Sequence, residues 1–285
     1  MDRVARQALA QAARTGSDCV LVQVERIEGS APREAGAGMV VTADAAVGTI
    51  GGGHLELKSI ALARAQLAQG ARKPDFSARF PLGPSLGQCC GGVAYIRFDF
   101  CPKGVVPPAV PVLVPQPLFQ LMLFGAGHVA QALVQVLATL DCNVTWVDSR
   151  EQQFPPAVPE QVRVEFSEHP ADEVDGAAPG TFYLIMTHSH ALDLAIVERV
   201  LKRGDAGFVG LIGSKTKRVR FERRLADQGF SAAQIATITS PIGAAGIEGK
   251  APGVVAIAAA AQLLELATRR NNAAQTAAIT ASVRL

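Results

Sequence analysis

The sequence predicts an α/β protein of two domains, in which a small α+β domain precedes a doubly wound parallel sheet. Its 285 residues are enough for two domains, and 49% of them are hydrophobic, which supplies material for two cores. Five prolines fall within residues 104–117, and proline at this density excludes helices and central strands. We therefore expect an N-terminal domain over 1–103, a linker over 104–117, a second domain over 118–270 and a flexible tail over 271–285.

The N-terminal domain combines helices, short strands and three glycine-rich loops. Amphipathic patterning predicts a helix over 1–14, and a second helix is expected over 55–68 with Gly70 as its stop. Apolar and alternating segments predict five strands, at 19–25, 38–42, 47–50, 76–80 and 93–100. The glycine-rich loops at 29–36, 51–53 and 87–92 each adjoin a strand. Glycine there permits close approach of the backbone to a ligand.

The second domain alternates strands with helices. Six apolar segments predict strands at 118–124, 143–147, 162–166, 181–186, 208–212 and 237–239. Helices are expected at about 128–140, 191–203, 215–228 and 252–268. This alternation is typical of a Rossmann-like, doubly wound parallel sheet. The last helix is apolar nearly all round, which favours either deep burial or a homodimer face.

A phosphate-binding turn is predicted where the first strand of this domain meets its first helix. Residues 125–130 read Gly-Ala-Gly-His-Val-Ala, and the glycines Gly125 and Gly127 would allow a tight turn against a phosphate at the helix N-terminus. Asp148 ends the next strand, where a carboxylate would bind a ribose hydroxyl. Arg150 follows it, so a ribose 2′-phosphate, as in NADP, would also be accommodated. The alternative is a turn kept for packing alone.

Further polar residues follow other strands of the domain, at the edge where ligands bind in such sheets. His188 and His190 are candidate ligand contacts, and zinc is disfavoured because a third and fourth ligand are not evident nearby. The alternative for this loop is a helix cap by Thr187 or Ser189, with Asp193 in the first turn. Basic residues open the helix predicted at 215–228, where they oppose its dipole unless an anion or an acidic partner compensates. A solvated basic face is the alternative. The candidates on this rim are His128, His188, His190, Ser214, Lys215 and Lys250.

Two adjacent cysteines, Cys89 and Cys90, lie between glycines in the sequence Gly-Gln-Cys-Cys-Gly-Gly at 87–92. Neighbouring Cα atoms are only about 3.8 Å apart, so an unstrained disulfide between the two is disfavoured. Glycines leave sulfur accessible, which favours a reactive or ligand-binding thiol over an inert turn. Cys19 and Cys142 are expected in the core, and Cys101 in an exposed position before the linker.

Composition excludes several classes of function. A formal charge of +2 argues against nucleic-acid binding, which requires a strongly basic domain. The chain opens without a signal-peptide pattern, and its longest apolar run is too short for a bilayer. We expect a cytoplasmic protein with reduced thiols and no membrane contact.

Six segments, taken in order, resemble the XdhC/CoxI family of xanthine dehydrogenase accessory proteins. They lie at 29–36, 51–56, 87–92, 187–193, 209–215 and 240–243. Two departures favour the XdhC branch. His54 stands where CoxI-like members often carry cysteine, and Lys-Ala-Pro-Gly at 250–253 replaces their Thr-Pro-Glu-Glu helix opening.

The resemblance implies a maturation factor that binds molybdenum cofactor (molybdopterin), rather than a turnover enzyme. It further implies that a cysteine desulfurase sulfurates the cofactor and that a molybdenum hydroxylase such as xanthine dehydrogenase receives it. Cys89 and Cys90 would hold the molybdenum or its sulfido ligand, since the metal is thiophilic. The other N-terminal residues expected to bind the cofactor are Gly91, Gly92, Arg33, Gly52, Gly53, His54 and Glu56. The alternatives are an NAD(P)-dependent oxidoreductase that uses the Rossmann-like domain, and an interaction scaffold.

Overall fold

A computed structural model of the chain describes residues 3–70, 74–83, 91–104 and 117–282. The chain divides into two compact units, Met1–Pro115 and Gln116–Leu285. Each unit has its own sheet.

The N-terminal unit is built on a five-stranded antiparallel sheet with the strand order β3-β2-β1-β5-β4. The long central pair, β1 and β5, runs from the pairing of Cys19 with Cys101 to that of Glu28 with Val93. All five strands lie where the sequence predicts them, with ends that differ by up to three residues. They are β1 (Cys19–Glu28), β2 (Gly38–Val41), β3 (Ala46–Gly48), β4 (Phe76–Pro81) and β5 (Val93–Cys101).

Two helices cover the two faces of this sheet. The amphipathic helix α1 (Arg3–Thr15) buries Ala5, Leu9 and Ala12 against one face. The longer helix α2 (Gly53–Gln69) lies on the other face, over the main core of the unit. Gly70 ends α2 as predicted, with a φ of 58° that favours glycine. The unit is therefore a helix–sheet–helix sandwich.

The buried face of α2 carries polar side chains that lack a partner within the described residues. Ser59 and Gln66 are fully buried, and neither the Ser59 hydroxyl nor the Gln66 amide makes a hydrogen bond there. A buried, unpaired polar group loses its hydration without compensation, which costs about 1–3 kcal/mol. The buried Ser59 and Gln66 side chains therefore lower the stability of the N-terminal unit.

Replacing Gln66 with methionine is expected to raise the free energy of unfolding of the N-terminal unit by about 1 kcal/mol or more, because the thioether fills the space without an unpaired amide. Urea unfolding measures the change. Gln69→Met on the exposed side of the same helix is the control and should stay within about 0.5 kcal/mol. A destabilised Gln66→Met variant would show that the amide has a partner, such as an internal water.

The C-terminal unit is a six-stranded parallel sheet with the order β11-β10-β9-β6-β7-β8. The order reverses between β6 and β9, which confirms the Rossmann-like fold and defines its topological switch point. All six predicted strands are present. They are β6 (Gln120–Phe124), β7 (Asn143–Asp148), β8 (Val162–Phe166), β9 (Phe182–Ile185), β10 (Phe208–Leu211) and β11 (Ile238–Thr239).

Helices lie on both faces of this sheet, as a doubly wound fold requires. One core contains side chains of two helices, α3 (His128–Leu137) and α7 (Pro252–Ser282). The opposite core contains side chains of α4 (His190–Arg203), α5 (Lys215–Asp227) and the short α6 (Ala232–Ala236). One side of α7 is deeply buried, which agrees with the prediction of burial rather than of a homodimer face.

The end of α7 departs from the prediction. The sequence predicts a helix to about 268 and a tail from 271, whereas α7 continues to Ser282. Alanine recurs after residue 272, and its high helix propensity favours continuation of the helix. None of the helices within the described residues combines the length and apolar character needed to cross a membrane.

Candidate functional site

The three glycine-rich loops of the N-terminal unit lie at one edge of its sheet. The first follows β1, the second follows β3, and the third joins β4 to β5. Because these strands are antiparallel, the pairings of Glu28 with Val93 and of Pro81 with Val93 place the first and third loops side by side. The sequence identified each loop, but their common edge follows from the strand order.

The third loop is anchored tightly to the first. The Gly91 N–H donates to the Leu82 carbonyl and the Leu82 N–H to the Gly92 carbonyl, both at 2.7 Å, which closes the base of the loop. A Cβ atom added at Gly92 would lie 2.2 Å from the Ser30 oxygen and 2.6 Å from the Glu28 oxygen. Gly92 therefore permits direct backbone contact between the loops. Cys89 and Cys90, which immediately precede Gly91, lie outside the described residues.

The second loop also contacts the first. A Cβ atom at Gly51, where φ is 127°, would lie 2.5 Å from Cγ of Pro32. Glu56 fixes the backbone of this loop, because its Oε2 accepts from the Thr49 hydroxyl at 2.7 Å, the Gly52 N–H at 3.0 Å and the Ile50 N–H at 3.2 Å. Glu56, predicted to bind cofactor, thus has a structural role in the loop itself.

Helix α2 begins at this edge without a side-chain cap. Its N-cap is Gly52, where an added Cβ would meet nothing within 4 Å, and the exposed Gly53 and His54 open its first turn. Partly buried Arg33 lies nearby in the first loop and pairs with the exposed Glu34 at 3.4 Å. Uncapped N–H groups and a cation are donors suited to an anionic group.

In the C-terminal unit, the two glycines of the predicted phosphate-binding turn serve different purposes. Gly125 has a φ of 108°, and a Cβ there would lie 2.3 Å from the Met186 oxygen, so this glycine allows close packing across the switch point. At Gly127 a Cβ would meet nothing within 4 Å. Gly127 is also the N-cap of α3 and supplies no side-chain cap, so space and donors remain there for an anion.

Asp148 is predicted to bind a ribose, but its carboxylate is already satisfied. It is buried and accepts from the Ala126 N–H at 2.6 Å, the Arg150 N–H at 2.9 Å and the Arg150 guanidinium at 2.9 and 3.0 Å. Burial opposes ionisation, yet the hydrogen bonds from Arg150 and Ala126 outweigh it and lower the pKa of Asp148. A ribose diol would have to displace Arg150 from this carboxylate.

The histidines of the rim are exposed. His128 opens α3, and His188 and His190 border Ser189, whose hydroxyl caps α4 by accepting from the Leu192 N–H at 3.4 Å. Capping at this loop is therefore confirmed. Across the part of the chain that the structure describes, no cluster of three or more His, Cys, Asp or Glu side chains is placed to hold a metal ion.

A buried ion pair that the sequence analysis missed joins the first turns of α4 and α5, next to the loops after β9 and β10. Lys217 Nζ donates to Asp193 Oδ2 at 2.5 Å and to the Ile212 carbonyl at 2.8 Å. Asp193 Oδ1 accepts from the hydroxyl and the N–H of Thr187, at 2.7 and 3.0 Å. The basic residues at the start of α5 indicated that an anion was needed there, and for Lys217 that anion is Asp193 of the same unit.

The other basic residues near the start of α5 and before α7 are either held in structural contacts or exposed to solvent. Arg218 donates to the carbonyls of Ile235 and Ile238 and pairs with Glu222, which ties α5 to α6 and β11. Lys215 and Lys250 are exposed, and the exposed Ser214 caps α5 by accepting from the Lys217 N–H. The exposed Lys215, Arg220 and Lys250 are therefore accessible to a ligand or partner.

Three cysteines within the described residues are buried. Cys19 and Cys142 lie in cores, as expected. The expectation for Cys101 is wrong, because only 1% of it is exposed. Helix α1 covers this end of β5, which a strand pattern alone does not reveal.

Comparisons with known proteins cover both units. Residues 121–263 match a family model described as the XdhC Rossmann domain, and residues 12–77 match one described as the XdhC and CoxI family. The uncharacterized protein YqeB of Escherichia coli (strain K12) is 30% identical over 260 residues, which is 89% of this chain and 44% of the relative. The chain thus spans less than half the length of that curated relative.

A solved structure shares the fold. BH1974 from Bacillus halodurans, described as a xanthine dehydrogenase, superposes with a TM-score of 0.73 at 20% identity. The superposition covers 93% of this chain and 96% of that one.

Proposed function

The chain belongs to the XdhC and CoxI family, and from this membership we propose that it binds molybdenum cofactor and supports maturation of a molybdenum hydroxylase. In this proposal the protein holds the cofactor while a cysteine desulfurase supplies sulfur. It then delivers the sulfurated cofactor to an enzyme such as xanthine dehydrogenase. The protein acts as a chaperone rather than as a turnover enzyme.

The observation that carries this proposal is the junction of three glycine loops at one edge of the N-terminal sheet. Gly92 contacts Ser30 of the first loop, and Gly51 contacts Pro32 of the same loop. The cysteine pair directly precedes Gly91, so the chain brings its thiols to the loop that this junction anchors.

The residues of this edge fit the chemistry of a phosphate-bearing metal cofactor. The uncapped start of α2 at Gly52 and the guanidinium of Arg33 would bind the phosphate. Thiolates of Cys89 and Cys90 would bind molybdenum, which prefers soft ligands. When bound, the cofactor supplies the labile sulfido group. The protein's part is to hold it and to restrict its exposure.

Asp148 supports the chaperone over a nicotinamide-dependent oxidoreductase. Its carboxylate accepts four hydrogen bonds from Ala126 and Arg150 and has no acceptor site left for a ribose diol.

We propose that Gly127, His128, His188, His190, Ser214, Lys215 and Lys250 form a second anion-binding rim.

The proposal is tested with the Cys89→Ala/Cys90→Ala double variant of the full chain. Anaerobically mixed with molybdenum cofactor, the unaltered protein should form a stoichiometric complex, and the double variant should bind at least about tenfold more weakly, a loss of about 1.4 kcal/mol. Molybdenum retained after gel filtration measures binding. Cys142→Ala, which removes a buried thiol from the other unit, is the control. Equal binding by the double variant would reject the thiolate role.

A further inference from the structure

Cys19 and Cys101 form a second cysteine pair, remote in sequence from Cys89 and Cys90. Cys19 is the first residue of β1 and Cys101 the last of β5, and the register of the two strands places them directly opposite each other. Directly opposed residues of antiparallel strands have Cα atoms about 4.5–5.5 Å apart. Disulfides require a Cα separation of about 4.4–6.8 Å, so the backbone is already placed for a bridge.

The two thiols are also in contact. They share a hydrogen bond, and this bond lowers the pKa of Cys19 and raises that of Cys101. The Cys101 thiol additionally lies 3.4 Å from the Asp99 carbonyl oxygen. Because its pKa is lowered, Cys19 is the sulfur expected to ionise first.

Helix α1 controls access to this pair. Only 2% of Cys19 and 1% of Cys101 is exposed, and both belong to the small core that α1 covers with Ala5, Leu9 and Ala12. Three of the four α1 side chains in this core are alanines, Ala5, Ala8 and Ala12, so we expect local detachment of α1 to cost less than unfolding of the sheet. Such opening exposes the sulfurs while β1 and β5 remain paired.

We propose that Cys19 and Cys101 are a reversible dithiol–disulfide pair that locks the two central strands of the N-terminal unit. The oxidant is a low-molecular-weight disulfide such as oxidised glutathione. The Cys19 thiolate attacks one of its sulfurs and releases the first small thiol. Cys101 then gives up its proton to solvent and attacks the Cys19 sulfur, which expels the second small thiol. Two protein thiols are thereby oxidised and one small disulfide is reduced.

The disulfide would join the strands that also support the proposed site. From Cys19, β1 runs to Glu28, which precedes the first glycine loop, and β5 begins at Val93, immediately after Gly92. All three glycine loops lie within the closed ring from 19 to 101, and closing a long loop restricts the unfolded chain. Oxidation therefore stabilises the frame of the site without using either residue of the Cys89–Cys90 pair.

The test uses the full chain carrying Cys89→Ser and Cys90→Ser, which leaves three of its five cysteines. The protein is incubated with oxidised glutathione or with dithiothreitol, denatured in N-ethylmaleimide and digested with trypsin. Oxidation should reduce the alkylated thiols from three to one, at Cys142, and link the peptides 15–26 and 98–103. The thermal midpoint should rise by about 5 °C or more over the reduced form.

Matched variants separate this pair from other linkages. On the same background, Cys19→Ser and Cys101→Ala should each abolish the linked peptide and the rise in thermal midpoint, whereas Cys142→Ala should retain both. Three alkylated thiols after oxidation, or a bridge to Cys142, would overturn the proposal. The linked peptide is sought in a chain that retains both cysteines, so the result stands even where a single variant folds poorly.

Discussion

Asp193→Asn is expected to lower the free energy of unfolding of the C-terminal unit by about 3–5 kcal/mol, because it leaves the Lys217 ammonium buried without its counter-charge. Asp193 is 0% exposed and Lys217 8% exposed, so water cannot replace the lost anion. Asparagine retains an oxygen that accepts from Thr187. The change therefore isolates the ion pair from the rest of the network.

Trp146 reports this unfolding directly. It is the one tryptophan of the chain and is fully buried in the C-terminal unit, so its fluorescence follows that unit in urea. Glu265→Gln, which breaks the exposed pair with Arg269, is the control and should cost at most about 1 kcal/mol. Asp193→Asn combined with Lys217→Met should recover most of the stability, since it removes both charges and keeps the acceptor for Thr187. A loss below about 1 kcal/mol in Asp193→Asn would show that water reaches Lys217.

Loss of this pair should also disturb the rim. Asp193 holds Thr187, which precedes His188, and Lys217 holds the Ile212 carbonyl, close to Ser214. These contacts couple the loops after β9 and β10. Asparagine still holds Thr187 but no longer holds Lys217, so ligands that depend on Lys215 are expected to bind the Asp193→Asn variant more weakly even where it remains folded.

Local patterns predicted the elements of this fold because each element is set by its own residues. Alternating apolar positions produced β5, and the apolar run before Gly125 produced β6. Gly70 ends α2 because glycine adopts a positive φ without steric cost. Such signals act within one element.

Local sequence patterns could not predict contacts between residues that are far apart in the chain. Asp193 and Lys217 are 24 residues apart, and Cys19 meets Cys101 only through the strand register. The basic start of α5 did signal a missing anion, but helix electrostatics alone cannot distinguish an internal carboxylate from a ligand. In the same way, Asp148 matches a ribose-binding position in sequence, whereas the structure shows Arg150 on its carboxylate.

Gly92→Ala is expected to separate the first and third glycine loops and to weaken binding of molybdenum cofactor by about tenfold or more, a loss of about 1.4 kcal/mol. The added Cβ would lie 2.2 Å from the Ser30 oxygen and 2.6 Å from the Glu28 oxygen, and both atoms belong to the backbone. Backbone cannot rotate away as a side chain does, so the loops must move. Overpacking of this kind also costs about 1–3 kcal/mol of stability.

Gly83→Ala is the matched control for this change, because Gly83 lies near the start of the same connection and an added Cβ there meets nothing within 4 Å. Neither Gly83 nor Gly92 has a φ in the left-handed region, so the two variants differ in steric contact and not in backbone strain. Retained molybdenum and the thermal midpoint are measured for both. If Gly92→Ala bound the cofactor as Gly83→Ala does, contact between the loops would be irrelevant to binding. A selective loss would instead tie cofactor affinity to the position of Gly92, two residues after Cys90.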